Sequence, residues 1–92
     1  MSTIVRIARG LMSDTVIVLE GNKESLSLQI GKLLKERRAE LDITQVDLAK
    51  YCNLSREGIG KIESGHSDIQ LSTLMKMSKI LGFKITLAME QD

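Results

Sequence analysis

The sequence predicts a mainly α-helical domain of four to five helices, preceded by a strand-containing extension and closed by one C-terminal strand. Apolar residues recur at helical spacing across residues 25–82, and the 92-residue chain holds no proline to interrupt them. Both ends change pattern, to a β-branched run near the start and to a two-residue alternation near the end. A chain of this length accommodates one hydrophobic core with a short appendage. The expected division is an extension over residues 1–24 and a helical domain over residues 25–92 that ends in a strand at 83–89.

Within the extension, Val16, Ile17, Val18 and Leu19 form an uninterrupted apolar run suited to a short buried strand, and Glu20-Gly21-Asn22 closes it with turn residues. Upstream, Ile4, Ile7, Ala8, Leu11 and Met12 share one helical face, while Ile4, Val5 and Ile7 suit a strand equally well. A hairpin and a helix followed by a strand are both compatible with this segment.

The first helix is expected over residues 25–41, with Ile30, Leu33, Leu34 and Leu41 on its apolar face. Thr44 then has the character of an N-cap, with Asp47 three residues on completing a capping box. The second helix, residues 45–52, offers Val46, Leu48 and Ala49 to the core and stops at Asn53, a residue that tolerates the left-handed conformation. Ser55 caps a third helix that buries Ile59 and Ile62 and stops near Gly65. After a loop at 66–70, a fourth helix places Leu71, Leu74, Met77 and Leu81 on one face and closes at Gly82. Phe83, Ile85, Leu87 and Met89 alternate with Lys84, Thr86 and Ala88, as in a half-buried strand. That strand has no local hairpin partner, so it pairs with the N-terminal segment or with another molecule, and a symmetry mate is the favoured partner.

Composition narrows the possible roles. Hydrophobic residues at 42% and charged residues at 27% fit a soluble globular protein and exclude a disordered polar chain. The four-residue run Val16–Leu19 is the longest apolar stretch, far short of the roughly 18 needed to span a bilayer. Arg6 and Arg9 interrupt any signal-peptide-like run, and the single cysteine, Cys52, permits no internal disulfide, so a cytoplasmic location is expected. A net charge of +1 means that any attraction to a polyanion must come from basic groups gathered on one face. With one Phe, one Tyr and no Trp, the chain lacks the stacking platforms of single-strand binders.

The segment ITQVDLAKYCNLSREGIGKIESG, residues 43–65, resembles the helix-turn-helix of the Xre and lambda-repressor-like family. The matching features are Thr44-Gln45, Leu48-Ala49, the turn Asn53-Leu54-Ser55, and Ile59 followed by Ile62-Glu63-Ser64-Gly65. The resemblance covers about residues 28–83 and implies a lambda-repressor-like fold. Gln70-Leu-Ser-Thr-Leu74 and Ile80-Leu-Gly-Phe-Lys-Ile-Thr-Leu87 are similar to HipB-type antitoxins, whose domain ends in a strand that pairs across the dimer axis.

In a helix-turn-helix the second helix enters the major groove with its N-terminal residues near base edges. Here that helix would expose Ser55, Arg56, Glu57, Gly60 and Lys61. Arg56 and Lys61 suit guanine O6 and N7, and Glu57 suits the cytosine N4 donor. Gln45, opening the preceding helix, suits a backbone phosphate. By resemblance these positions match those that touch DNA in the family, and Arg38 and Glu63 match an arginine–glutamate pair. Gly58 and Gly60 depart from the pattern that the resemblance implies, a side chain at both places; each costs about 1 kcal/mol relative to alanine inside a helix, and a softened helix and a close approach to DNA are both compatible with them.

No catalytic or metal constellation is present. His66 is the only histidine, and no Walker loop, dinucleotide fingerprint or zinc spacing occurs. Cys52 reads as a small apolar core residue. The expected protein is a cofactor-free, double-stranded DNA-binding repressor acting as a homodimer on palindromic half-sites, with Phe83, Ile85, Leu87 and Met89 at the dimer seam. Resemblance to HipB-type antitoxins implies autorepression of a toxin operon and binding of a HipA-like kinase toxin. A stand-alone regulator without a toxin and an interaction module with decayed DNA binding are the alternatives.

Overall fold

The computed structural model describes residues 3–9 and 15–87. Two strands, β1 (Thr3–Arg9) and β2 (Thr15–Gly21), precede four helices, α1 (Lys23–Glu40), α2 (Gln45–Cys52), α3 (Arg56–Glu63) and α4 (Leu71–Leu81). A third strand, β3 (Phe83–Leu87), follows them. The extension is therefore a hairpin, and the alternative of a helix followed by a strand is set aside. Met89 lies outside the described residues.

The sheet has the order β2-β1-β3 and is antiparallel throughout. Val5 sits opposite both Leu19 and Leu87, and Ile7 opposite both Ile17 and Ile85. This row structure gives the sheet two different faces. Leu19 and Phe83 are buried and Ile17 and Ile85 pack against the core, whereas Lys84 and Thr86 point to solvent and Val18 remains 48% exposed. The run Val16–Leu19 is thus one-sided, because successive strand residues face opposite ways.

One edge of β3 pairs with β1, so of the two partners expected for this strand the N-terminal segment takes that edge, although a symmetry mate was favoured. The hairpin supplies a complete antiparallel edge within the same chain, so Phe83, Ile85 and Leu87 lie on a strand already paired inside the protomer, with Phe83 and Ile85 serving its own core. The outer edge of β3 is not paired among the described residues.

Leu34, Leu48, Ile59, Met77 and Leu81 are the fully buried centre, drawn from all four helices. Three residues expected inside lie on the surface: Leu41, Val46 at 46% exposure and Leu71 at 68%. Each stands at a helix end, where the apolar stripe runs past the neighbours that could cover it. Helix α1 begins two residues earlier than expected, because Asn22 acts as its N-cap and accepts from the Ser25 N–H at 2.9 Å. Gln29 of α1 donates to the Glu20 carbonyl at 3.0 Å, tying this helix to β2.

Helices α1 and α3 approach closely at Gly31, where a Cβ would lie 2.4 Å from the Ile62 carbonyl oxygen. Only a glycine permits this contact, which sets how far the third helix stands from the body of the protein. At the far end of α1, Arg37 donates from Nε to the Leu81 carbonyl at 2.7 Å and from Nη1 to Glu40 at 3.2 Å.

Candidate nucleic-acid interface

Local chemistry fixes both short helices. Thr44 Oγ1 accepts from the Asp47 N–H at 3.0 Å, which is half of the expected capping box. Asn53 closes α2 in the left-handed conformation with φ 55°, and the Leu54 N–H returns to the Ala49 carbonyl at 2.9 Å. Ser55 Oγ then accepts from the Gly58 N–H at 3.0 Å and starts α3. The connection between α1 and α2 uses a second left-handed residue, Asp42 with φ 56°, which spacing alone did not mark.

Burial of Ile59 and Ile62 turns the opposite side of α3 outward. Ser55, Arg56, Glu57 and Lys61 are exposed on it, and Gly60 is half-buried. Arg56 and Lys61 have no ion-pair partner among the described residues, so both cations are available to an incoming anion. The two glycines of α3 differ. A Cβ at Gly58 would lie 3.2 Å from the capping hydroxyl of Ser55, whereas one at Gly60 would meet no atom within 4 Å. Gly60 therefore faces open space on this surface, one helical turn after Arg56 and next to Lys61 in sequence.

Behind this surface lies a buried polar centre. Arg38 grips Glu63 with two hydrogen bonds, Nε to Oε2 at 2.6 Å and Nη2 to Oε1 at 3.1 Å, and Nη1 reaches the Ile43 carbonyl at 2.8 Å. Gln45 Nε2 adds a fourth bond, to Glu63 Oε1 at 3.0 Å. The Glu63 side chain is only 3% exposed and that of Arg38 13%, so their attraction is little screened by solvent. The network joins the end of α3 to the last turn of α1 and the start of α2. Gln45 is half-buried, with its amide nitrogen turned toward Glu63, a contact that the 18-residue separation in sequence concealed.

A groove lined by Arg38, Ala39 and Asp42 around the end of α1, by Ile43, Thr44, Gln45 and Val46 around the start of α2, and by Arg56 of α3 carries two cations and one carboxylate. Helix N-termini carry partial positive charge, and Arg56 adds a full one. Val46, lost from the expected core, contributes an apolar surface here.

The other reactive side chains are otherwise engaged. His66 is exposed in the loop after α3, with Nδ1 2.8 Å from Ser64 Oγ. Cys52 is buried, and burial pushes its thiol pKa up despite the charge of Lys76 nearby. Among the described residues, no group of His, Cys, Asp or Glu is arranged to hold a metal ion, and no helix is long and apolar enough to cross a membrane.

Residues 34–87 match the helix-turn-helix family model, which leaves β1, β2 and the first half of α1 outside the match. An uncharacterised HTH-type transcriptional regulator of Methanocaldococcus jannaschii is 44% identical over 52 residues, covering 56% of this chain and 79% of that protein. The immunity repressor protein of Bacillus phage phi105 is 36% identical over 59 residues, covering 64% of this chain and 41% of the repressor. The chain spans between a fifth and a half of the length of three of the curated relatives it matches. Among solved structures, the restriction-modification controller protein C.AhdI of Aeromonas hydrophila is similar with a TM-score of 0.57 and 27% identity, over 60% of this chain and 83% of the controller.

Proposed function

The chain belongs to the helix-turn-helix family, and from that premise we propose that it is a transcriptional repressor that binds double-stranded DNA as a homodimer. It is a regulator and not an enzyme, as its relatives are by name. The observation that carries the reading is the outward face of α3, where Arg56 and Lys61 have no ion-pair partner among the described residues and Gly60 faces open space. In this reading α3 lies in the major groove, Arg56 and Lys61 donate to guanine, Glu57 accepts from cytosine, and Ser55 stands at the leading end. A backbone phosphate occupies the groove at the start of α2, close to Gln45 and Arg56.

One helix of this length reads few base pairs, so a second copy on an adjacent half-site is needed for tight binding. The outer edge of β3 and the exposed Leu71 and Met75 of α4 supply the surface for it. An antiparallel pairing centred on Ile85 places Lys84 of one copy opposite Thr86 of the other and avoids a like-charge pair.

The test is a salt titration with the purified chain against duplexes selected from a randomised pool. Log affinity should fall linearly with log salt, and Arg56→Ala should weaken the selected site by about 1–3 kcal/mol while relaxing one base position. A chain that retards no duplex in dilute buffer is an interaction module without DNA binding, and the reading fails.

Similarity of residues 70–87 to HipB-type antitoxins extends the proposal to autorepression and to binding of a HipA-like kinase toxin. Co-expression should then relieve growth arrest caused by a kinase encoded beside this chain. Similarity to the phage phi105 immunity repressor favours a stand-alone regulator instead, which the lack of any such neighbouring kinase frame would support.

A further inference from the structure

Arg37 and Arg38 are neighbours in the last turn of α1, and successive helical residues point about 100° apart. Arg38 reaches toward the reading side, to Glu63 at the end of α3 and to the Ile43 carbonyl before α2. Arg37 reaches the other way, to the carbonyl of Leu81, the last residue of α4. A Cβ on Gly82 would lie 3.4 Å from Arg37 Nη2, so the guanidinium sits over the left-handed link (φ 71°) that joins α4 to β3. The final carbonyls of a helix lack partners and carry partial negative charge, which a guanidinium satisfies in both respects.

At its β2 edge the sheet is tied to α1 by Gln29 on the Glu20 carbonyl, whereas toward β3 it meets the helices through the apolar Phe83 and Ile85. Apolar contacts of this kind are non-directional and let a sheet rotate slightly over its support. A charge-assisted hydrogen bond at 2.7 Å has a direction and resists that rotation. We infer that Arg37 is a positioning residue: it ties the link between α4 and β3 to α1, which the Arg38–Glu63 network joins to α2 and α3, and so sets which half-site spacing a dimer accepts. The inference rests on the dimeric DNA-binding reading above.

The experiment uses the full chain and duplexes with two copies of its selected half-site, stepped one base pair at a time around the preferred separation. Each step adds about 3.4 Å and turns the second site by about 36°, so a rigid dimer is sensitive to it. The wild-type chain should lose about tenfold in affinity for a two-base-pair shift, a distortion that must be taken up by DNA or protein. Arg37→Met should keep its dimer in sedimentation and its affinity for a single half-site, yet vary less than about threefold across the same series. Arg37→Lys, with the charge but not the planar fork, should be intermediate. A wild-type spacing profile in either variant overturns the inference, so the lysine variant decides the matter if the methionine variant does not fold. Broadening that appears only together with lost half-site affinity also overturns it, since that is general loosening of the domain. A wild-type chain that binds no duplex overturns the functional reading itself, whereas one that binds with unchanged spacing in both variants leaves that reading intact.

Discussion

Between Thr44 and Glu63 the backbone is directed by residues three or four positions away: Thr44 on Asp47, Asn53 on Ala49 and Lys50, Ser55 on Gly58. The sheet is built in the opposite manner, with Val5 brought beside Leu87 from the other end of the chain. Local caps restrict the unfolded chain cheaply, while strand pairing across the whole sequence must first close a long loop. The reading helices are therefore specified by short local motifs, and the sheet by a juxtaposition of segments far apart in sequence. The family match agrees with that division, since it begins at residue 34, after the hairpin.

Two substitutions of similar overall cost separate the regions. Arg38→Ala leaves Glu63 buried with Gln45 as its remaining side-chain partner and should destabilise by about 3–5 kcal/mol in urea unfolding. Phe83→Ala empties a buried position on the sheet and should also cost about 3–5 kcal/mol. Amide exchange distinguishes them: protection should fall first in α2 and α3 for the arginine variant, and first in the strands for the phenylalanine variant. Equal loss everywhere in both would show one indivisible unit and break the contrast. A smaller change sharpens it. Gly60→Ala adds a methyl into open space on a helix and should raise stability by about 0.5–1 kcal/mol in thermal melts. The same methyl stands on the face that carries Arg56, so affinity for DNA should drop while the fold gains.

The same contrast explains what the residues disclosed before the fold was known. Helix α2 runs from Gln45 to Cys52 as expected, because Thr44 and Asn53 are unambiguous boundary residues. Spacing identified the buried face through Leu48, Ala49, Ile59 and Ile62, but overreached at Leu41, Val46 and Leu71, where a helix continues beyond its cover. The N-terminal segment was one of two partners expected for β3, and the alternation could not choose between them, since it advertises a face and not a neighbour. Arg38 and Glu63 were suggested by resemblance to a family. Gln45 in the buried network had no sequence signal because its partner Glu63 lies 18 residues away, and Arg37 on the Leu81 carbonyl had none because a backbone oxygen carries no side-chain identity.

The middle position of β1 in the sheet has a consequence for synthesis. Ribosomes make this strand and its hairpin mate before any helix, but its second neighbour emerges only after all four helices. At ordinary elongation speeds, the 74 residues from Arg9 to Phe83 take about 4 to 15 seconds to translate. During that interval one side of β1 is open to whatever strand or protease finds it. A product that ends before residue 83 lacks the strand that covers this side of β1 and keeps an unpaired edge even when α2 and α3 are complete.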